Sequence, residues 1–466
     1  MVRRTLILCV VLGSLLGMAA ATLRAADEAS SDLVQMIVKL LGEKDNEFRA
    51  AGLDQIRTGA KGQAATKVFA GQLPKLDPSA QASLLSALAD RGDAAARPGV
   101  LELLASNAGE PVRVAAIAAL GKLGEPAELP LLIKSLSASS GPERAAAKSS
   151  LSRIRGATIS AALAADVVSA APPVKVALIE VLATRRAKDV MPAFVMATVD
   201  DNGQVRSAAM TALGQIGRPE QIAEMIPGVL KADKGGERDN AEKNVALVCS
   251  RIGNEDERGD ALIKALASVG TAQTDQLLSL IGRVGGKKLI NFVADIATGS
   301  DATRRKLGID ALSKWPDASV ADKLLEITNK ATDAAERSQA FQGYVKISAT
   351  RDNRPDKQRL ERMKQAMSIA KTPEEESLVL NRCRTAYDVE TLRFVLPYID
   401  KEPFAQLACE TTVELAHHRE LRDPNKAEFD KALDKVIAVS KDAVVVDRAG
   451  RYKRGETWNR PAKSAE

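Results

Sequence analysis

The sequence predicts an all-α fold, a right-handed α-solenoid of about twelve stacked helical hairpins, and three observations lead there. A period of about 31 residues runs through most of the chain. Hydrophobic residues make up 45% but aromatic ones only 3%, and the apolar share is carried by alanine and leucine, both strong helix formers. No stretch alternates apolar and polar residues as a half-buried strand does. A single core stops growing at roughly 250–300 residues. A chain of 466 residues with so few rings is therefore expected to form thin helical layers, each buried by its neighbours.

The period is sharpest in residues 112–124 and 205–217. Val112, Arg113, Ala115-Ala116, Ala119-Leu120-Gly121 and Gly124 recur as Val205, Arg206, Ala208-Ala209, Ala212-Leu213-Gly214 and Gly217. The offset of 93 is three units of 31. Stepping by one unit finds copies at 48–59 and 80–92, then a weaker one beginning at Glu143 and another at Val174. Downstream copies occupy 241–253, 273–285, 304–312 and 336–347, and degenerate ones begin near Glu376 and Ala405.

Each unit reads as two helices. In the first, Val112, Ala115, Ala116, Ala119, Leu120 and Leu123 recur at helical spacing and form one apolar stripe. Pro78, Pro111, Pro142, Pro173 and Pro403 mark helix starts, where a missing N–H costs nothing, and Asp77 is placed as an N-cap. Gly124 is expected to stop the helix in a left-handed cap. The second helix carries Leu129, Leu132, Ile133 and Leu136, with Pro98, Pro130 and Pro192 each 18 residues after their unit's start. One such hairpin cannot bury its stripe alone, so the units must stack.

The Val-Arg-x-Ala-Ala-x-x-Ala-Leu-Gly-x-x-Gly pattern resembles HEAT repeats, above all the short variety called PBS-lyase HEAT-like repeats. The resemblance covers nearly all of residues 33–440 and is sharp in the units at Ala80, Val112, Val174 and Val205. It implies HEAT/armadillo-like stacking. In that family the arginine after the valine often pairs with an acid from a neighbouring turn. Arg49, Arg113, Arg144 and Arg206 stand in that place, Lys175 nearly so, and Asp45 and Asp201 match the turn acid. These residues are expected to form a structural ladder between units. Some HEAT-like enzymes, the deoxyhypusine hydroxylases, hold a di-iron centre with His-Glu pairs. This sequence has no His-Glu dipeptide, so that activity does not transfer.

The ends read differently from the middle. Residues 1–26 have a basic start (Arg3, Arg4), an apolar run from Leu6 to Leu16 and small residues at Ala19 to Ala21. They form a signal peptide, cleaved after Ala21 or nearer Ala25, because the run is shorter than the roughly 20 residues of a membrane span. The mature repeat solenoid is expected over 27–440, capped by an amphipathic helix over 31–41. Polar insertions at 231–240 and 349–359 are expected to protrude. Residues 441–466 lose the period and read as a disordered polar tail, outside the fold.

The formal net charge is +6, and half of it lies in the signal segment (Arg3, Arg4, Arg24, no acid). Charges alternate in sign along the rest, which argues against nucleic acid as a partner. Cys249, Cys383 and Cys409 lie in apolar helical stretches and read as buried thiols, with a Cys383–Cys409 bridge as the alternative. His417 and His418 are adjacent, so on a helix they point about 100° apart and do not form a metal face; they read as a surface pair at a helix end. The run 281–286 (Ile-Gly-Arg-Val-Gly-Gly) lacks the Lys-Ser/Thr of a phosphate loop, and Glu374 to Glu376 suit the first turn of a helix. No catalytic, metal or cofactor site is expected. The function expected is an exported, non-enzymatic scaffold that binds a protein partner. A module for an envelope polysaccharide or an anionic surface is the alternative, with Tyr452 and Trp458 among Arg451, Lys453, Arg454 and Arg460 as its contact points. An enzyme comes third, on family association alone.

Overall fold

The computed structural model describes residues 31–137, 141–267 and 269–458, so the expected signal segment and the last eight residues lie outside the described part. The described residues form α-helices joined by short turns and 3-10 segments, with no strand among them. Each predicted unit is a hairpin. The first helices include Asn46–Thr58, Pro78–Arg91, Glu110–Leu123, Gly141–Arg153, Pro172–Thr184 and Gly203–Ile216, each starting within three residues of its predicted position. Their partners are Gln63–Ala70, Arg97–Ala105, Leu129–Leu136, Ile159–Ser169 and Met191–Ala197. The series continues with Gly236–Cys249, Leu278–Val284, Ala302–Leu312, Ala334–Ser348, Pro373–Cys383 and Ala405–His417, and with second helices from Ile222–Lys231 to Lys426–Val439. The fold is an α-solenoid of helical hairpins. By internal packing the chain divides into two compact units, Met1–Gly217 and Arg218–Glu466.

Within the first unit, each first helix packs on the next first helix and is covered by second helices. Leu120 and Leu213 are fully buried on this stripe. The small residues of the repeat allow the close approach: a Cβ on Gly121 would stand 2.9 Å from Ser150 Cα of the neighbouring helix. The helix over 31–42 closes the N-terminal edge by burying Val34, Ile37 and Leu41. The prolines Pro78, Pro111, Pro98, Pro130 and Pro192 occupy the first turns of their helices, and Asp77 accepts from the backbone N–H of Ala80 at 2.9 Å. Gly92 is a left-handed cap at φ 72°. Gly124, expected to be another, is extended instead, at φ −72°. Glycine is required there for a steric reason, since a Cβ would lie 2.5 Å from Leu120 O; Gly217 meets Leu213 O in the same way.

In the second unit three expectations are corrected. The insertion at 231–240 is mostly helix: Ile222–Lys231 ends it on one side and Gly236–Cys249 begins on the other. The segment after Ser348 is drawn down onto the fold, not extended from it. Arg359 is buried there and donates to Thr350 O, Asp352 O and Arg354 O at 3.2, 2.7 and 2.9 Å. The third correction is the largest. The tail expected from residue 441 contains a helix, Ala443–Lys453, capped by Asp442. Val445, Ala449 and Tyr452 recur at i, i+4 and i+7 and are 5%, 0% and 1% exposed. They pack against Ala405–His417 and Lys426–Val439. This is one more first helix, whose short stripe is hidden in the sequence among basic residues.

Candidate binding surfaces

Three of the arginines at the valine-plus-one position, Arg49, Arg113 and Arg206, are tied into the repeat itself. Arg113 donates to Ala108 O at 2.6 Å and to Glu143 Oε1 at 2.8 Å. Arg206 donates to Asp200 O and Asp201 O at 3.0 and 2.9 Å. Arg49 reaches Glu43 O at 2.9 Å and Asp77 at 3.6 Å, and Lys175 pairs with Asp200 at 2.8 Å. Each of these arginines satisfies carbonyls left over at the preceding turn; Arg49, Arg113 and Lys175 also meet an acid about one repeat ahead. Asp45 is not that acid: it caps its own helix, accepting from Glu47 N at 2.7 Å. Asp201 meets Arg206 through its main-chain carbonyl. The ladder repeats in the second unit, where Arg305 meets Ser300 O at 2.9 Å and Glu336 at 3.0 Å.

A second ladder escaped sequence reading. Arg91 donates to Ile56 O, Gly59 O and Ala60 O at 2.8, 3.0 and 2.6 Å. Arg185 does the same to Leu151 O and Ile154 O at 2.9 and 2.8 Å. Both sit at the C-terminal end of a first helix and neutralise the carbonyl end of the previous one, where a cation is favoured. The signal in the sequence was an arginine beside the helix stop, 94 residues apart in two units.

His417 and His418 lie at the end of Ala405–His417, and His417 meets the terminal helix. His417 Nδ1 is 2.9 Å from Tyr452 Oη. His418 stacks on Tyr387 with ring centroids 3.8 Å apart, and Arg351 lies over the Tyr387 ring at 4.3 Å. Among the described residues no group of three or more His, Cys, Asp or Glu side chains is placed to hold a metal. Burial, then the neighbouring His417 and Arg351, holds His418 below the ordinary histidine range, against the pull of Glu414 and Asp356. The folded state thus favours neutral His418, so the unfolded chain takes up its proton first. Stability is lost as pH falls below about 6.5, the unperturbed histidine value. The melting temperature is expected to be lower at pH 5 than at pH 7, and His418→Gln is expected to shrink that difference; an unchanged difference would remove His418 from the account.

Cys249, Cys383 and Cys409 are buried and free, so Cys383 and Cys409 do not pair. Burial pushes their thiols up to about 12, 12 and 11.

Apolar side chains left in solvent lie on both helices of the hairpins, Phe48, Leu247, Leu307 and Val444 on first helices and others on second ones. In the first unit Val68, Val168 and Met196 are exposed, the last two at 62% and 61%, and Val199 follows in the next turn. A groove of about 650 Å³ opens nearby between Gln63–Ala70 and Arg97–Ala105, lined by Ala70, Pro74, Pro98, Gly99 and Leu103, with Lys67 and Glu102 at its rim. In the second unit Ile263, Phe292 and Ile437, again on second helices, are exposed.

Residues 67–152 and 160–246 match the HEAT repeats family. No curated protein matches the chain in sequence. Among solved structures, Kap121p bound to Pho4p is similar to it at 13% identity and a TM-score of 0.50, over 91% of this chain and 53% of that one. Kap95p in a complex that switches the loops of RanGDP is similar at 11% identity and a TM-score of 0.46, over 91% and 66%. The chain thus spans about half to two thirds of these proteins, and at such identity the likeness is one of fold.

Proposed function

Starting from a chain that carries HEAT repeats at residues 67–152 and 160–246, we propose a non-enzymatic scaffold that is exported under the direction of residues 1–26 and binds a protein partner. The observation that supports partner binding is the apolar exposure on the second helices, above all Val168 and Met196 beside one another in the series. Such side chains lose water only when another surface covers them, and protein interfaces are enriched in Met and apolar anchors at their centres. Kap121p, similar in fold, was crystallised bound to Pho4p, and a HEAT-type stack offers a long surface for a protein partner. The polysaccharide reading loses one contact point, since Tyr452 is buried, and Trp458 has Arg448 over its ring at 4.9 Å.

The test is capture from the envelope fraction of the source cell, run with the wild-type chain and with Val168→Glu/Met196→Glu. A protein held by the wild type and lost by the double variant, with helicity unchanged, is the expected result. A partner held equally by both would move the surface elsewhere. Recovery of the mature chain only in the cytosol, with residues 1–26 intact, would overturn export.

A further inference from the structure

We propose that the first-helix face of the second unit binds a carboxylate-rich segment of a protein partner, seated between Lys346 and Arg382. The proposal rests on the reading that the chain binds protein, but it concerns first helices of the second unit, whereas Val168 and Met196 lie on second helices of the first. Arg251, Arg283, Lys314 and Lys346 each lie ten residues after the start of their unit, at spacings of 32, 31 and 32. They occupy one register position at the ends of consecutive first helices, Arg283 and Lys346 in the helix and Arg251 and Lys314 in the turn just after it, and these helices pack side by side. In the first unit the same position holds Asp90, Lys122, Arg153, Thr184 and Gln215, and Asp90 accepts from Lys122 at 2.9 Å. Only in the second unit does the row carry one sign of charge.

The row is neutralised at its start and open at its end. Arg283 donates to Glu242 at 3.1 Å and pairs with Asp239. Lys314 donates to Asp310 and to Ser279 Oγ, both at 2.7 Å. Among the described residues Lys346 has no ion pair or hydrogen bond through its ammonium. Arg382, on the next first helix, has a buried Nε with no acceptor, which is a costly group to leave unmade. Lys346 is held below the ordinary lysine range by burial and then by Lys314, Arg283 and Arg382, with Asp310 opposing. Lys346 is still exposed, and an arriving anion would give it a counter-charge beside the Arg382 guanidinium.

A carboxylate segment fits better than a long polyanion. Binding to phosphate polymers draws on roughly six or more phosphate contacts, and two open cations are too few. Neighbouring helices stand roughly 8–10 Å apart, the reach of about three extended residues. An acidic side chain at every third position of an extended peptide therefore meets Lys346 and Arg382 in turn.

The experiment is fluorescence anisotropy of fluorescein-labelled deca-glutamate, with deca-glutamine as control, on the full chain. Deca-glutamate is expected to bind at low salt and to weaken at least tenfold in Lys346→Gln/Arg382→Gln. Lys122→Gln, which removes a paired cation from the first unit, is expected to change affinity less than twofold, as is Val168→Glu/Met196→Glu. Circular dichroism of each variant separates lost binding from lost folding. No binding of deca-glutamate, equal loss in Lys122→Gln, or unchanged affinity in Lys346→Gln/Arg382→Gln would overturn the proposal. So would displacement of the peptide by inorganic phosphate at concentrations below the peptide's own. If partner capture fails while peptide binding follows this pattern, the exposed apolar surface is wrong and the cation site stands.

Discussion

Leu213→Asp is expected to remove about 5 kcal/mol or more, enough to unfold the helices around it. Leu213 is fully buried in Gly203–Ile216, on the stripe that faces Pro172–Thr184. Truncating such a leucine to alanine already costs about 2–5 kcal/mol. Aspartate adds a charge with no partner in an apolar layer, which must be expelled or protonated at further cost. Whole domains are stable by only about 5–15 kcal/mol. In a stack, each unit depends on its nearest neighbours, so the loss is expected to centre on the flanking helices. Urea denaturation followed by circular dichroism gives the size, and hydrogen exchange gives the place. Val168→Asp is the control, because Val168 is mostly exposed and surface changes cost about 0.5 kcal/mol or less. Equal midpoints for the two variants would show that Leu213 is not on the buried stripe.

What the sequence revealed follows the same physics. Val112 and Val205, with the alanines and leucines after them, announce the stripe because burial on one helix face forces a periodic pattern. Starts were legible where proline or aspartate has a local job, as at Asp77-Pro78. Stops were legible in position but not always in cause: Gly124 ends its helix because Leu120 O leaves no room for a Cβ, which depends on backbone direction beyond any local pattern. The arginine ladder was visible as a register, yet its acids were not. Asp77, Glu143 and Asp200 lie about a repeat ahead of their cations, so the pairing exists only once the units stack. Asp45 looked like the partner and is a helix cap. The ladder through Arg91 and Arg185 was missed because an arginine at a helix end is common on any solvated helix. The open ends of the cation row were likewise invisible, since Lys346 and Arg382 differ from Lys314 and Arg283 only in what surrounds them.

Ending the chain at Asp442 is expected to lower stability by about 3–6 kcal/mol, whereas ending it at Glu456 is expected to cost less than about 0.5 kcal/mol. The reason lies in Ala443–Lys453. Fully burying a valine or a larger apolar side chain contributes about 1.5–3 kcal/mol, and Val445 and Tyr452 are both buried here, with Ala449 between them. Tyr452 adds a polar handle to His417, and Arg448 pairs with Glu414 at 2.7 Å. Arg422 lies beneath the Tyr452 ring at 5.6 Å. Removing the helix strips all of these from Ala405–His417 and Lys426–Val439 and opens their apolar faces to water. A chain ending at Glu456 keeps every one of them and, among the described residues, gives up the contact of Arg448 over the Trp458 ring. The sequence period alone places both cuts outside the fold and predicts no difference. Thermal unfolding of the two truncated chains beside the full one decides: coincident melting curves would return the segment to the status of a tail, and a drop confined to the chain ending at Asp442 would establish it as the terminal cap. Tyr452→Ala in the full chain is expected to reproduce the larger part of that drop.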